Sequence, residues 1–355
     1  MSAAFDTINR QLLLKILEPI IHEDQLRLIY FLLYNTKMAT KIKGAKENMS
    51  FLSNIGTPQG DSLSPVLFII YLEHALKEIR STFPILEPDY QENLPREVIY
   101  ADDVDFVGLE YIDTKEVQKI LQKYQLKVNT DKTELTNISK DENIWKETKK
   151  VGSLMGDKED VTRRKHLSTI ALVKLNNVWI RKDRIKKNTR LKLYRTLVKC
   201  LLTYNCGTWA LTKTEEEKLD SFHRKQLRKI LGIKYPVIIT NKSLYKKCNE
   251  TPLSLQILES RWRLFWHILR RDECIPANKA MHFYFRKSEH RYLGRPLTSL
   301  PITLNKDLSK LKNNTIKLGT AKDLENLRRT ARNRRCWKIM TRNIMEAAKA
   351  SKSDD

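Results

Sequence analysis

Two adjacent carboxylates interrupt an apolar, β-prone run in the stretch Tyr100-Ala101-Asp102-Asp103. Val98, Ile99 and Tyr100 lead into them, and Val104, Phe106 and Val107 resume the pattern, so the stretch reads as a hairpin tipped with aspartates. Crowding two carboxylates is costly unless a cation neutralises them. Hard oxygen donors on a short turn suit Mg²⁺, which takes one or two protein carboxylates and completes its shell with water and substrate phosphates. An acidic turn in solvent would have the same composition, because Asp is a common turn residue. The motifs that accompany the pair along the chain are what favour a metal.

One of these is Gly56-Thr57-Pro58-Gln59-Gly60-Asp61-Ser62-Leu63-Ser64-Pro65. Ser64 and Pro65 form an N-cap and first-turn pair for the apolar helix expected to run to about Arg80. Two glycines ahead of a helix let backbone N–H groups approach an anionic or flat ligand closely. A further stretch, Asn129-Thr130-Asp131-Lys132-Thr133, carries Lys132, whose ammonium could meet a triphosphate or serve as a general acid.

The elements that must position these groups follow from periodicity. Residues 1–35 are predicted helical, with Leu12, Leu13, Ile16, Leu17, Ile20 and Ile21 at helical spacing. Residues 37–55 predict two strands around a polar turn at Gly44, and a helix is expected around 114–125. From about 160 the pattern is helical. One predicted helix, carrying Leu219, Phe222, Leu227 and Ile230, opens on a capping box at Thr214 and Glu217 and stops at Gly232. Beyond 235 the pattern loosens. Leu255, Leu258, Trp262, Phe265 and Leu269 form one stripe, with Arg261, Arg263, Arg270 and Arg271 elsewhere on that helix. Gly294-Arg295-Pro296 marks a turn, and one basic helix is expected from about Ala321 to Lys349. Trp262 and Trp337, at helical spacing with leucines, read as core rather than as base-stacking platforms.

The chain has 355 residues and a formal charge of +24. The charge is unevenly placed. Residues 1–150 hold 19 Lys+Arg against 23 Asp+Glu, and residues 151–355 hold 47 against 19. A near-neutral front bearing the carboxylates and a strongly basic rear suggest chemistry followed by polyanion binding. Five scattered cysteines argue against a disulfide framework and fit a reducing compartment; no close Cys-x-x-Cys pair points to structural zinc. The N-terminus lacks a basic, then apolar, leader, and Val66–Leu72 is too short to span a bilayer. The expectation is a soluble intracellular protein, nuclear or cytoplasmic.

Taken in order, Ala4-Phe5-Asp6, the Gln59-Gly60-Asp61-Ser62-Leu63-Ser64-Pro65 core, Tyr100 to Asp103 and Asn129 to Thr133 resemble a reverse transcriptase of the non-LTR (LINE-like) retrotransposon class. Leu227-Arg228-Lys229-Ile230-Leu231-Gly232 and Trp266-His267-Ile268-Leu269-Arg270 are similar to later parts of the same polymerase, although the family often has Gly-His where this chain has Trp266-His267. The resemblance implies an α+β fold: a right-hand polymerase palm, an antiparallel sheet with packed helices, lacking most of the fingers. It divides the chain into partial fingers and palm at 1–158, a helical thumb at 159–234 and a basic, mainly helical nucleic-acid-binding region at 235–355.

It further implies RNA-directed DNA synthesis with Mg²⁺ at a two-metal site. Asp102 and Asp103 match the catalytic, metal-binding aspartates, Asp102 being the main ligand. Phe5 matches the aromatic that screens the sugar 2′-position. Gln59 and Gly60 match the loop beside the incoming nucleotide and template, and Lys132 matches the lysine near the triphosphate. The partners implied are template RNA, primer DNA and deoxynucleoside triphosphates, with no membrane. In this family the first motif is an aspartate, three variable residues, then Ala-Phe-Asp. Met1, Ser2 and Ala3 fill the variable places, so the aspartate falls immediately before Met1, and an N-terminally truncated form is expected. Asp6 follows the aromatic and does not replace it, since neighbouring side chains on a strand alternate faces. The alternative is a non-catalytic remnant that binds RNA or an RNA–DNA hybrid.

Overall fold

The computed structural model describes residues 4–34, 36–40, 49–58, 60–83, 95–108, 112–139, 142–180, 184–287, 298–311 and 316–353. Gln59 and the turns expected at Gly44 and at Gly294 to Pro296 lie outside them. Two units divide the chain, Met1–Leu135 and Thr136–Asp355.

In the first unit a 3₁₀ turn, Ala4–Asp6, precedes α1 (Arg10–Leu17) and α2 (Glu23–Leu33). The Ala-Phe-Asp stretch is therefore a turn rather than a strand, and the alternation expected there does not operate. The Asn9 side chain caps α1, and α2 opens on a capping box between His22 and Gln25. Strands β1 (Thr36–Thr40) and β2 (Met49–Ser53) pair antiparallel, with Met38 opposite Phe51. Next come α3 (Ser64–Thr82), the hairpin of β3 (Glu97–Tyr100) and β4 (Asp103–Phe106), and α4 (Thr114–Lys123).

The core of this unit follows from the spacing of apolar residues on α3. Phe68, Tyr71, Leu72, Ala75, Leu76 and Ile79 recur on one face and are buried against Leu13, Ile16 and Leu17 of α1 and Val117, Ile120 and Leu121 of α4. The Tyr71 hydroxyl donates to the Tyr124 carbonyl (2.7 Å), which satisfies the polar end of a fully buried ring. Ser64 is not the N-cap of α3. Its hydroxyl donates to the Pro58 carbonyl (2.7 Å), Leu63 occupies the cap position, and Pro65 falls in the first turn as expected.

The second unit is mainly helical. A short hairpin of β5 (Lys149–Lys150) and β6 (Ser153–Leu154) leads into α5 (Asp157–Lys174), α6 (Asn176–Ile180) and α7 (Lys187–Leu193). A π-helical turn, Tyr194–Lys199, joins α7 to α8 (Cys200–Leu202). Then follow α9 (Lys213–Leu231), α10 (Asn241–Cys248), α11 (Leu253–Arg270), α12 (Pro276–Lys287), α13 (Leu300–Leu308), α14 (Ala321–Arg332) and α15 (Arg334–Ser353). Together with the three two-stranded antiparallel ladders, the whole is an α+β architecture.

Several sequence expectations are corrected here. The capping box of α9 is Thr212 with Glu215, one pair earlier than Thr214 with Glu217, while Gly232 ends the helix in the left-handed region as expected. The single basic helix expected over 321–349 is two helices. Asn333 adopts an extended backbone between them, and its side chain accepts from the N–H groups of Arg335 and Cys336 to cap α15. Arg261 lies inside the molecule: 1% exposed, it donates to Asp307 (2.9 Å) and to the Trp209 carbonyl (3.3 Å). Trp262 and Trp337 are core residues, with ring centroids 5.7 Å apart. On α5 the buried face is Val161, Arg164, Ser168 and Leu172, which leaves the apolar Ile170 and Val173 exposed.

Candidate active site

The aspartates sit where a tight hairpin turns. Tyr100 pairs with Asp103, which leaves Ala101 and Asp102 as a two-residue loop. Ala101 has φ +53, a conformation that costs a non-glycine residue roughly 1–2 kcal/mol. Strain of this kind concentrates at sites where geometry matters more than local stability. Cross-strand partners share a face, so Tyr100, Asp103, Val98 and Asp105 lie on one side, and Ile99, Val104, Glu97 and Phe106 on the other. Val104 and Phe106 pack on the core of the unit. Asp103 is therefore on the face turned away from the core and is exposed, while Asp102 is half-buried at the tip.

The base of the hairpin is held by an ion cluster. Arg80, near the end of α3, donates to Glu97 on β3 (2.6 and 3.0 Å) and to Glu73 one turn-pair earlier on α3 (2.7 and 3.0 Å). The hydrogen bond from Arg80 holds the Glu73 carboxyl below its ordinary range against the opposing effect of burial. The Arg80 guanidinium is held above its own range, chiefly by the bond to Glu73. On the far side of the core Tyr124 donates to Glu78 (2.8 Å), and burial, followed by that bond, pushes its phenol up to about 12.

The first and second motifs, about 50 residues apart, are stitched together. The Thr57 N–H donates to the Phe5 carbonyl (2.8 Å), and the Gly56 N–H to the Ile8 carbonyl (2.9 Å). Gly56 has φ +73, and a Cβ there would come within 2.6 Å of the Phe5 carbonyl oxygen. Only glycine fits this position, for conformation and space alike. Arg10 closes the same region: it donates to the carbonyls of Gly56 (2.7 Å), Ser53 (2.7 Å), Ile55 (3.3 Å) and Leu33. Burial pulls its pKa down from the usual arginine value. The Phe5 ring lies 4.7 Å from that of Phe68 on α3.

The remaining predicted residues are less constrained. Gly60 has φ +94 and open space around it. Lys132 is exposed in a turn closed by its own N–H donating to the Asn129 carbonyl (3.2 Å), and it forms no ion pair among the described residues. Gln59 lies outside them. The structure thus joins Phe5 to the Gly56 loop and seats the hairpin on the same core, but it gives Lys132 no tie to the aspartates.

A divalent cation fits the donor set at the hairpin tip: two adjacent hard carboxylates, one exposed and one half-buried. Among the described residues no group of three or more His, Cys, Asp and Glu gathers as a metal site. Two features escaped sequence reasoning. Arg10 and Arg80 belong to no motif, and only a basic residue on an otherwise apolar helix face could have signalled a buried partner. The β5–β6 hairpin is too short for a periodic signal and turns on Val151 (φ +46) and Gly152 (φ +80), where the Tyr204 hydroxyl donates to the Val151 carbonyl (3.0 Å).

No curated protein matches the chain. Among the described residues no helix is long and apolar enough to cross a membrane. The sequence profile of reverse transcriptase (RNA-dependent DNA polymerase) matches residues 1–186, more than half of the chain, over the region that holds the stitched motifs and the aspartate hairpin. The chain belongs to the reverse transcriptase family.

Proposed function

We propose that this chain is the polymerase portion of a non-LTR (LINE-like) reverse transcriptase, with partial fingers and palm in 1–158, a helical thumb in 159–234 and a basic nucleic-acid-binding region in 235–355. The observation that carries the reading is the aspartate pair on a strained two-residue turn, seated on the core that also carries Phe5 and the Gly56 loop. Family membership brings nucleic-acid templates, nucleotide substrates and divalent metal ions into the account.

In this reading Asp102 and Asp103 hold Mg²⁺. When bound, the metal lowers the pKa of the primer 3′-hydroxyl and offsets charge on the transferred phosphoryl group. Phe5 excludes a ribose 2′-hydroxyl by its bulk, and the support for that role is a backbone held by the Thr57 hydrogen bond and a ring packed on Phe68. Gln59 and Gly60 pack beside template and incoming nucleotide, and Lys132 meets the triphosphate with its exposed side chain.

The test is extension of a DNA primer on an RNA template with Mg²⁺, by the chain and by Asp102→Asn. We expect the substitution to abolish extension, a fall of at least about 10²-fold, and to leave RNA binding intact. An equally active Asp102→Asn chain would show that this hairpin is not the metal site. A second reading is favoured by the lack, among the described residues, of a third carboxylate gathered with the pair. It makes the chain a non-catalytic binder of RNA or RNA–DNA hybrid. That reading expects no extension by the unaltered chain, and binding that Asp102→Asn does not change.

A further inference from the structure

The outward face of α15 carries Arg334, Arg335, Lys338 and Arg342, which with the exposed Ile339 line one shallow concavity. These cations recur at i, i+4 and i+8, over about 12 Å of helix axis. Like charges at this spacing repel one another, and no carboxylate forms an ion pair with any of the four among the described residues. On the neighbouring α14 the arrangement is different, with Arg329 3.8 Å from Glu325 one turn away. The cluster extends across to α11. The Trp266 indole is fixed by its N–H, which donates to the Ala331 carbonyl (3.0 Å). Over its ring lie two guanidinium groups, Arg270 at 4.7 Å and Arg334 at 5.8 Å. An anchored aromatic thus holds two cations side by side, and no ion pair to either is formed among the described residues.

We propose that this face of α15, with Arg270 and Trp266 at its edge, is a docking surface for the sugar–phosphate backbone of a nucleic-acid duplex, read by charge and not by sequence. The inference rests on the nucleic-acid-handling reading above and gives it a specific surface. Three observations select the duplex backbone. A duplex presents about one negative charge per 1.7 Å of axis, which matches a straight row of unpaired cations. Single-strand binders need free aromatic faces for bases to stack on, and here the Trp266 ring is taken up by guanidinium groups while the rest of the face is Arg, Lys and Ile. A membrane surface would require an apolar face free to insert, whereas Trp337, Met340, Ile344 and Ala348 of α15 are buried in the core.

The test is fluorescence-anisotropy titration of a blunt RNA duplex with the full chain over a series of salt concentrations. Each phosphate contact contributes about 0.9 to the slope of log K against log salt. The triple variant Arg335→Gln/Lys338→Gln/Arg342→Gln should therefore have a slope shallower by roughly 2–3. A control triple with the same charge change on α10, Lys242→Gln/Lys246→Gln/Lys247→Gln, should shift it by less than about 1. All six side chains are exposed, so far-UV circular dichroism should be unchanged. Independently of any variant, bound duplex should protect Lys338 of the unaltered chain from acetylation while Lys242 stays reactive. Equal effects of the two triples, or unprotected Lys338, would overturn the proposal. So would a triple that binds duplex normally but loses binding to phosphatidylserine vesicles. Asp102→Asn should bind the duplex as the parent does, so failure of the polymerase reading would be seen in extension and not here.

Discussion

His223 of α9 is fully buried between two tyrosine rings, nearly parallel to Tyr194 at 5.9 Å and tilted against Tyr245 at 6.1 Å. Neither of its nitrogens has a hydrogen-bond partner among the described residues. Burial pushes its pKa down to about 4, and the nearby Glu250 carboxylate only partly counters this. Glu250 itself is pushed up by burial but held below its usual range by hydrogen bonds from Lys199 and Arg195, each 2.7 Å. The ring is therefore neutral in the folded chain, whereas the unfolded chain takes up a proton near pH 6.5. This contribution to stability is present in full above pH 6.5, and it is lost as the pH falls from there toward 4. A pKa lowered from 6.5 to about 4 corresponds to about 3 kcal/mol. In urea unfolding at pH 7 and pH 4.5, the parent should lose about 2–3 kcal/mol more between the two pH values than His223→Phe does. Equal pH dependence of the two chains would mean that the ring takes its proton without leaving the core. The desolvated nitrogens also make the phenylalanine variant at least as stable as the parent at neutral pH, because an apolar ring leaves no donor unmet.

Arg80 does for the aspartate hairpin what packing alone does not. An isolated two-stranded ladder is marginal in water, and Val98, Ile99 and Tyr100 are all 40% or more exposed. What fixes β3 and β4 is Val104 and Phe106 on the core and the Arg80 bonds to Glu97. Arg80→Met removes those charged hydrogen bonds, each worth about 1.5–3 kcal/mol. It should raise amide exchange in residues 97–106 by at least about tenfold, and leave that of α1 and α4 near the parent rate. A uniform rise across the unit would place Arg80 in global stability instead. Elements with a strong period were legible in the sequence: the hairpin at 98–107, the strands at 36–40 and 49–53, the apolar stripes of α3 and α11, and the stop at Gly232. The start of α9 was ambiguous because Thr212 and Thr214 each precede a glutamate by three residues, and burial of Trp209, Ala210 and Leu211 decides for the earlier one. Ser64 followed by Pro65 has the composition of a cap, yet the Pro58 carbonyl captures the hydroxyl. At the site the motif order drew attention to Phe5, the Gly56 loop and the aspartate pair. It did not reveal that backbone hydrogen bonds join Phe5 to Thr57, because such bonds leave no trace in side-chain identity.

Across the molecule, a formal charge of +24 means that the folded chain works against its own repulsion at low ionic strength. Raising salt to about 0.15 M shortens the screening length to about 8 Å. That should raise Tm by roughly 2–4 °C, corresponding to about 1 kcal/mol, in a thermal melt without nucleic acid. A fall in Tm would mean that attractive pairs such as Arg80 with Glu97 outweigh the repulsion. Within the second unit the interior crosses the stretch around 235. Val161, Leu202, Trp209 and Leu219 share one cluster with Leu253 and Ile257. Asp220 accepts from both the N–H (2.9 Å) and the hydroxyl (2.7 Å) of Ser254, and a Cβ on Gly207 would meet the Ser260 carbonyl at 3.0 Å. For a gene, this makes the stretch around codon 235 a poor place to divide 136–355. A recombination breakpoint there would part Val161, Leu202, Trp209 and Leu219 from Leu253 and Ile257, leaving that cluster divided between two fragments.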